Sequence, residues 1–194
     1  MIQVSAVLNA VIFAVTLVIV ILHFRNEGKW DAGKGRYAFR FFTEQSNAFC
    51  AVSALLMLLF PSASWAWLLK YIGTAAVTVT MLTVFLFLWP SVGSLKPLLE
   101  KSGLFLHLIT PLLAIISFSF FEKRGMDLMT AIMGMLPVVI YGIFYLYKII
   151  IAPPEKRWED FYGFNKGGKW PVSFACMLIG TFTVCMVLMM LQNI

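Results

Sequence analysis

The chain has 194 residues, of which 61% are hydrophobic and only 12% are charged. Soluble domains carry about a quarter charged residues, so this composition excludes a water-soluble globular protein and predicts an integral membrane protein. The net charge of +6 does not indicate nucleic-acid binding, because the basic residues lie between apolar runs, as membrane-surface anchors do.

Six apolar runs are each long enough to cross roughly 30 Å of hydrocarbon as an α-helix. No basic residue precedes the first run and no small-residue cleavage site follows it, so we interpret it as a spanning helix rather than a cleaved signal peptide. We therefore predict an all-α, polytopic six-helix bundle that forms one transmembrane domain over residues 1–194. The predicted helices are residues 5–24, 41–60, 67–89, 103–121, 128–147 and 170–191.

Basic residues are distributed unevenly between the two sides of this bundle. Loops 1–2, 3–4 and 5–6, counted with the helix ends beside them, carry twelve of the 15 lysines and arginines. The other side has only Lys70, Lys123 and Arg124. The positive-inside rule then predicts a multi-pass protein of the cell membrane with both termini outside and loops 1–2, 3–4 and 5–6 in the cytoplasm.

Few ionisable or reactive side chains lie deep in the predicted helices. His23, Glu44 and Lys70 are within about one turn of a helix end, where long polar side chains reach water, so we expect them to be solvated. Three cysteines lie inside apolar runs and are expected to be free, buried thiols: Cys50, Cys176 and Cys185. No spacing typical of a metal site, and no phosphate-binding loop, is present, so we expect neither a metal nor a cofactor.

His107 is the one ionisable residue well inside a run, within the sequence LFLHLITPLLAI. An intramembrane histidine indicates either a functional site or a neutral side chain that bonds a neighbouring helix, and the sequence does not decide between them. Pro111 cannot donate to the carbonyl four residues earlier, which is that of His107. We therefore expect a kink and a free acceptor beside the imidazole, unless Thr110 fills the gap.

A second polar group opens the second predicted helix. Thr43, Ser46 and Asn47 are spaced i, i+3, i+4 and share one helix face, either as packing residues or as part of a site. Thr43 is three residues past Arg40, and His107 is six residues past Lys101. At about 1.5 Å per residue, their depths from the same side differ by only about 5 Å, so the two side chains can meet.

These segments resemble the androgen-induced-gene family of membrane hydrolases and its bacterial six-helix relatives. The similar segments are RFFTEQSNAF at residues 40–49 and LFLHLITPLL at residues 104–113, with a threonine opening the second helix and a histidine followed by proline in the fourth. A weaker match is GKWPVSF before the last helix, where relatives have phenylalanine directly after the proline and this chain has Val172. The motifs cover about 25 residues, while the six-helix layout extends over the whole chain.

The resemblance implies a threonine hydrolase that cleaves fatty acid esters of hydroxy fatty acids inside the membrane. Thr43 would be the nucleophile and His107 the general base. Residues 46 and 47 vary among the relatives, so the resemblance gives Ser46 and Asn47 no catalytic role, and we expect them to support the pocket together with Thr110 and Pro111. The partner would be a membrane lipid or fatty acyl ester. No intramembrane carboxylate is evident to orient His107, and the carbonyl left free by Pro111, Asn47 or the loop residue Asp160 is a candidate for that role.

Two other functions remain open on the sequence alone. One is a small membrane transporter, against which stand the lack of a midplane charge and of an inverted repeat. The other is a lipid-binding or regulatory membrane protein without catalysis. The sequence gives no indication of the oligomeric state.

Overall fold

The computed structural model describes residues 2–194, and within them six helices are long and apolar enough to cross a membrane. The predicted all-α six-helix bundle is therefore confirmed, and no predicted helix end differs from the observed one by more than four residues. The spanning helices are α1 (Ile2–His23), α3 (Phe42–Leu59), α4 (Ser64–Val92), α6 (Ser102–Phe121), α7 (Leu128–Ile151) and α8 (Trp170–Asn193).

The connections that carry most of the basic residues form one end of the bundle, which we call the basic end. A small hairpin follows α1 there, and its two strands are β1 (Arg25–Asn26) and β2 (Lys29–Trp30). Its turn, Glu27-Gly28, has positive φ at both residues, as tight hairpin turns require. Two short helices complete this end before the loop that joins α7 to α8: α2 (Ala32–Ala38) and α5 (Lys96–Leu99).

Wide, π-helical turns interrupt three of the spanning helices, and three of the four π segments end two residues before a proline. A proline has no backbone N–H to continue the ordinary α-helical ladder, and π turns occur often at functional sites. The segment in α6, Phe105–Ile109, contains His107 and precedes Pro111. The other three are Val84–Leu88 before Pro90, Tyr147–Ile151 before Pro153, and Ser117–Phe121 at the end of α6.

Small residues bring the central helices close together. α3 and α4 cross where a Cβ on Gly73 would lie 2.6 Å from Ser53 Oγ and 3.0 Å from Cys50 Cα. Buried Ile12 of α1, Val77 of α4 and Ala114 of α6 pack around the same crossing. Small residues are what such membrane interfaces need, because dispersion contacts between close backbones replace the hydrophobic effect as the force of association.

The expected burial of the cysteines is only partly correct. Cys50 and Cys185 are buried and free. Cys176 is also free, but it is exposed on the outer surface of α8, because an apolar run facing lipid does not need to bury its small side chains.

Candidate active site

Thr43 is the second residue of α3 and lies half-buried at the basic end. Its backbone carbonyl accepts hydrogen bonds from Ser46 Oγ at 3.1 Å and from Asn47 Nδ2 at 2.9 Å. Ser46 Oγ also lies 2.8 Å from Thr80 Oγ1 of α4. Ser46 and Asn47 thus fix the backbone of the Thr43 turn rather than its hydroxyl.

His107 lies half-buried in the π segment of α6, and its Nδ1 is 2.7 Å from the backbone carbonyl of Leu98 in α5. A carbonyl oxygen can only accept, so Nδ1 carries the proton of the neutral imidazole and Nε2 keeps a free lone pair. Gly103 permits this contact, because a Cβ there would collide with the Leu98 carbonyl oxygen. The group that orients His107 is therefore a backbone carbonyl, which the sequence does not single out.

Pro111 frees a different carbonyl from the one expected. In the π register of this segment, each N–H donates to the carbonyl five residues earlier, as the Thr110 N–H does to the Phe105 carbonyl. The Leu106 carbonyl would pair in the same way with residue 111, but Pro111 has no N–H, so this carbonyl is left free. Asn47 Nδ2 donates to that carbonyl at 3.0 Å. The prediction of a free acceptor on His107 assumed α-helical spacing and misplaced it by one residue. Thr110 itself is buried behind this segment.

Asn47 joins the two halves of the predicted site, because the same amide nitrogen binds the carbonyls of Thr43 and Leu106. The backbones that carry Thr43 and His107 are therefore neighbours, as the depth comparison predicted. Within residues 2–194, however, no hydrogen bond connects the Thr43 hydroxyl with the imidazole.

A second group of polar side chains lies at the same end. His23 closes α1, and its Nε2 is 3.2 Å from Ser102 Oγ at the start of α6. Its Nδ1 is 3.1 Å from Glu44 Oε2 at the start of α3. That is an ion-pair distance, but the two atoms are not aligned for a good hydrogen bond. Glu44 is 8% exposed, so the expectation that Glu44 is solvated is wrong: neighbouring helix ends cover it.

His23, Glu44 and Ser102 are not among the site residues predicted from the sequence. The depth comparison that paired Thr43 with His107 applies to them as well, since each lies at a helix end on the basic side. Proximity to a helix end predicts solvation, whereas the converging helices and the loops above them shield this position.

The loop between α7 and α8 folds back over the start of α3. The Tyr162 hydroxyl accepts a hydrogen bond of 3.0 Å from the Phe42 N–H, and the Tyr141 hydroxyl donates to the Arg40 carbonyl. Burial raises the pKa of Tyr162 to about 12, and the charge of Glu44 also raises it, while nearby backbone N–H groups lower it. This loop therefore covers the Thr43 turn.

No hydrogen bond in the described chain links Asp160 to His107. Asp160 Oδ1 accepts from the Tyr145 hydroxyl and the Phe164 N–H, both at 2.8 Å, and its Oδ2 accepts from the Asn165 N–H at 2.7 Å. These bonds assign Asp160 to holding the loop on α7, so it does not orient the imidazole.

An apolar groove of about 540 Å³ begins beside the first turn of α3. Ser46 is among the few polar residues on its wall, which otherwise consists largely of apolar and aromatic side chains from α3, α4 and α7. Its lining includes Phe42, Phe49, Ile72, Leu136, Ile140 and Phe144. The groove has the chemistry of an acyl-chain site, next to the polar residues of the basic end.

Two further ionisable residues, Lys70 and Glu122, lie inside the opposite half of the bundle. The expectation that Lys70 reaches water is wrong. Lys70 is fully buried, and its Nζ has no hydrogen-bond partner among the described residues. Glu122, just after α6, is 4% exposed, and its Oε1 accepts from Ser5, Asn9 and Ser117.

No family model, no curated protein and no solved structure matches this chain. The similarity of the Thr43 and His107 segments to the androgen-induced-gene hydrolases therefore stays a prediction from the sequence.

Proposed function

We propose that the chain is an intramembrane hydrolase of a lipid ester, with Thr43 as nucleophile and His107 as general base. The observation that carries this proposal is the contact between His107 Nδ1 and the Leu98 carbonyl. It holds the imidazole in the tautomer in which Nε2 can accept a proton. Serine hydrolases use an aspartate for the same purpose, and a carbonyl performs the orienting part of that role.

The reaction follows from these two side chains. Thr43 Oγ1 attacks the ester carbonyl while His107 Nε2 takes the hydroxyl proton, and the imidazolium returns that proton to the leaving alcohol. His107 then deprotonates a water molecule, which releases the fatty acid from Thr43. Because no hydrogen bond joins the two side chains in the described chain, Thr43 must approach Nε2 when substrate binds. Catalytic contacts are often long before substrate is present.

The groove beside α3 supports a substrate with a long acyl chain. The chain would lie against Phe49, Ile140 and Phe144, which places an ester carbonyl near the polar first turn of α3. The resemblance implies a fatty acid ester of a hydroxy fatty acid. A lipid-exposed opening suits such a substrate, because an acyl chain can enter sideways from the bilayer.

The charge asymmetry supports an orientation in the cell membrane. The basic end would face the cytoplasm and both termini would lie outside. Burial of Lys70 within α4 strengthens the asymmetry, because only Lys123 and Arg124 then remain as exposed cations at the opposite end of the described chain. The ester would accordingly be cleaved at the cytoplasmic level of the bilayer.

The test uses the full chain in detergent micelles with a long-chain fatty acid ester of a hydroxy fatty acid. We expect Thr43→Ala and His107→Gln each to lower the hydrolysis rate by at least about 100-fold. Thr183→Ala is the matched control, because that hydroxyl is exposed on α8 and bonds only its own helix at Ile179. Equal hydrolysis by Thr43→Ala and the control would remove Thr43 as the nucleophile.

Gly103→Ala tests the orienting contact itself. The added methyl group collides with the Leu98 carbonyl oxygen and lies 3.6 Å from His107 Nδ1, so it displaces the carbonyl while Thr43 and His107 keep their own side chains. We expect hydrolysis to fall about 10-fold or more, with little change in the Michaelis constant. An unaltered rate would show that the carbonyl does not orient the base.

Transport is the second candidate function, and buried Lys70 and Glu122 favour it. Charged residues inside a membrane bundle often mark the path of an ion or proton. Its test is proton flux into proteoliposomes that contain a pH-sensitive dye, comparing the wild-type chain with Lys70→Met and Glu122→Gln. Flux that both substitutions abolish would favour transport over hydrolysis.

A further inference from the structure

A hydroxyl, an imidazole and a carboxylate from three different helices lie next to one another, in that order, at the basic end. Ser102 Oγ lies 3.2 Å from His23 Nε2, and Glu44 Oε2 lies 3.1 Å from His23 Nδ1. Serine hydrolases arrange their nucleophile, base and orienting acid in this order, with the hydroxyl on one ring nitrogen and the carboxylate on the other. The residues are distant in sequence, so only the packing of α1, α3 and α6 brings them together.

From this arrangement we infer that Ser102 is a second nucleophile of the chain, with His23 as its general base and Glu44 as a positioning residue. The inference rests on the proposed hydrolase function and extends it to another hydroxyl. Ser102 already has an imidazole nitrogen within hydrogen-bond distance, which Thr43 does not have in the described structure.

The surroundings of the three side chains fit these roles. Glu44 is 8% exposed, and His23 and Ser102 are half-buried, so the carboxylate is shielded while the hydroxyl remains accessible. A shielded carboxylate stabilises an imidazolium more strongly than a solvated one does, because the effective dielectric constant is lower. Glu44 Oε2 and His23 Nδ1 lie at contact distance but are not hydrogen-bonded, so the carboxylate must turn toward Nδ1 to position the imidazole.

The backbone around Ser102 supplies two further features. Lys101, immediately before it, has φ of +53°, a strained conformation for a residue with a side chain, and such strain often occurs at functional sites. Ser102 is the first residue of α6, and the positive end of a 20-residue helix favours the negative charge of a tetrahedral intermediate.

The step is an acyl transfer to serine. His23 Nε2 takes the Ser102 proton as Oγ forms a bond to the ester carbonyl carbon. Collapse of the tetrahedral intermediate breaks the bond to the alcohol oxygen, which receives the proton from His23. Water, deprotonated by His23, then cleaves the acyl-serine, releases the fatty acid and regenerates the hydroxyl. The substrate class is a long-chain acyl ester whose carbonyl lies at the level of the basic end.

The experiment maps the covalent adduct of a long-chain alkyl fluorophosphonate on the wild-type chain in detergent micelles. Trypsin cleavage after Arg40, Lys70, Lys101 and Lys123 places Thr43 in the peptide of residues 41–70 and Ser102 in that of residues 102–123. Fragmentation of each peptide then identifies the modified residue. Mapping on the wild-type chain avoids any dependence on whether a variant folds.

We expect an adduct on Ser102, lowered at least about 10-fold in His23→Gln and retained in Ser91→Ala, whose hydroxyl is exposed and bonds its own helix. An adduct on Thr43 alone would overturn the role of Ser102 and leave the proposed function intact. An adduct on Ser102 alone would support this inference and remove Thr43 as the nucleophile, and an adduct on neither would overturn both.

Glu44 has its own test, because a structural role would also depend on this residue. We expect Glu44→Gln to slow modification of Ser102 about 10-fold or more, and Glu44→Asp to restore part of the rate, at equal thermal stability of the two variants. Equal rates in the Gln and Asp variants would show that Glu44 does not position His23.

Discussion

The side-chain amide of Asn47 donates a hydrogen bond of 3.0 Å to the backbone carbonyl of Leu106, directly beside His107. The carbonyl is available because the π register pairs it with Pro111, which has no N–H. A buried carbonyl without a donor would cost about 1–3 kcal/mol, so Asn47 both stabilises α6 and fixes it against the Thr43 turn.

This relationship predicts that Asn47 and Pro111 are energetically coupled. Asn47→Leu should lower the free energy of unfolding by about 1–3 kcal/mol, because the Leu106 carbonyl loses its donor. Pro111→Ala supplies a backbone N–H, so the same Asn47→Leu change should be less destabilising in that background. The measurement is a double-mutant cycle from denaturation in micelles, and additive effects would contradict the pairing.

Lys70 should lower the stability of the bundle, because its fully buried side-chain nitrogen has no hydrogen-bond partner in the described chain. Replacement by methionine keeps the length of the side chain and removes the cost of burying an unpartnered polar group. We expect Lys70→Met to raise the midpoint of thermal unfolding by several degrees, and the exposed control Lys123→Met to leave it unchanged. A lower midpoint for Lys70→Met would show that Lys70 binds a water molecule or an ion.

Glu122 should stabilise the opposite end of the bundle, because one of its oxygens accepts hydrogen bonds from Ser5, Asn9 and Ser117. Glu122→Ala removes the acceptor of the Ser5 and Ser117 hydroxyls and of one Asn9 N–H, while Asn9 still donates to Ser5, and should cost about 3 kcal/mol or more. Glu122→Gln keeps one acceptor oxygen and should cost less. Thermal unfolding in micelles measures both, with exposed Glu155→Ala as control, and equal losses for Ala and Gln would refute the role of the acceptor.

The Tyr162 hydroxyl should make the stability of the protein sensitive to alkaline pH. Its pKa is raised to about 12 in the folded chain, against an ordinary value of 10.0. The contribution of the neutral Tyr162 hydroxyl to the free energy of unfolding is therefore complete below pH 10 and is lost as the pH rises through about 12. Between pH 9 and pH 11 the wild-type chain should lose about 1 kcal/mol more stability than Tyr162→Phe. Parallel pH dependence of the two proteins, followed by denaturation, would contradict this assignment.

The orientation predicts the position of the C-terminus. A reporter fused after Ile194 and active only in the cytoplasm should be inactive, and one active only outside should be active. The same two reporters placed in the loop between α7 and α8, after Glu155, should give the opposite result. Activity of the cytoplasmic reporter at Ile194 would reverse the assignment of the basic end.

The six-helix architecture follows from the amino-acid sequence alone, because hydrocarbon thickness fixes the length of an apolar run and lipid forces each run to satisfy its backbone hydrogen bonds internally. The sequence also predicts that the turns of Thr43 and His107 lie at similar depth, since helix rise converts residue counts from the nearest charge into distance. The contact of Asn47 with the carbonyl beside His107 agrees with that prediction.

The packing of the helices, rather than the sequence pattern, determines which polar side chains are shielded and what each one contacts. Lys70 and Glu44 resemble solvated residues in the sequence because they lie near helix ends, yet neighbouring helices and loops cover them. Because of the π register, the free carbonyl is that of Leu106 rather than that of His107. Ser102 lies beside His23 because two separate helices pack together. Hydropathy and residue spacing describe each helix separately, whereas these contacts depend on how the helices are rotated and how closely they approach each other.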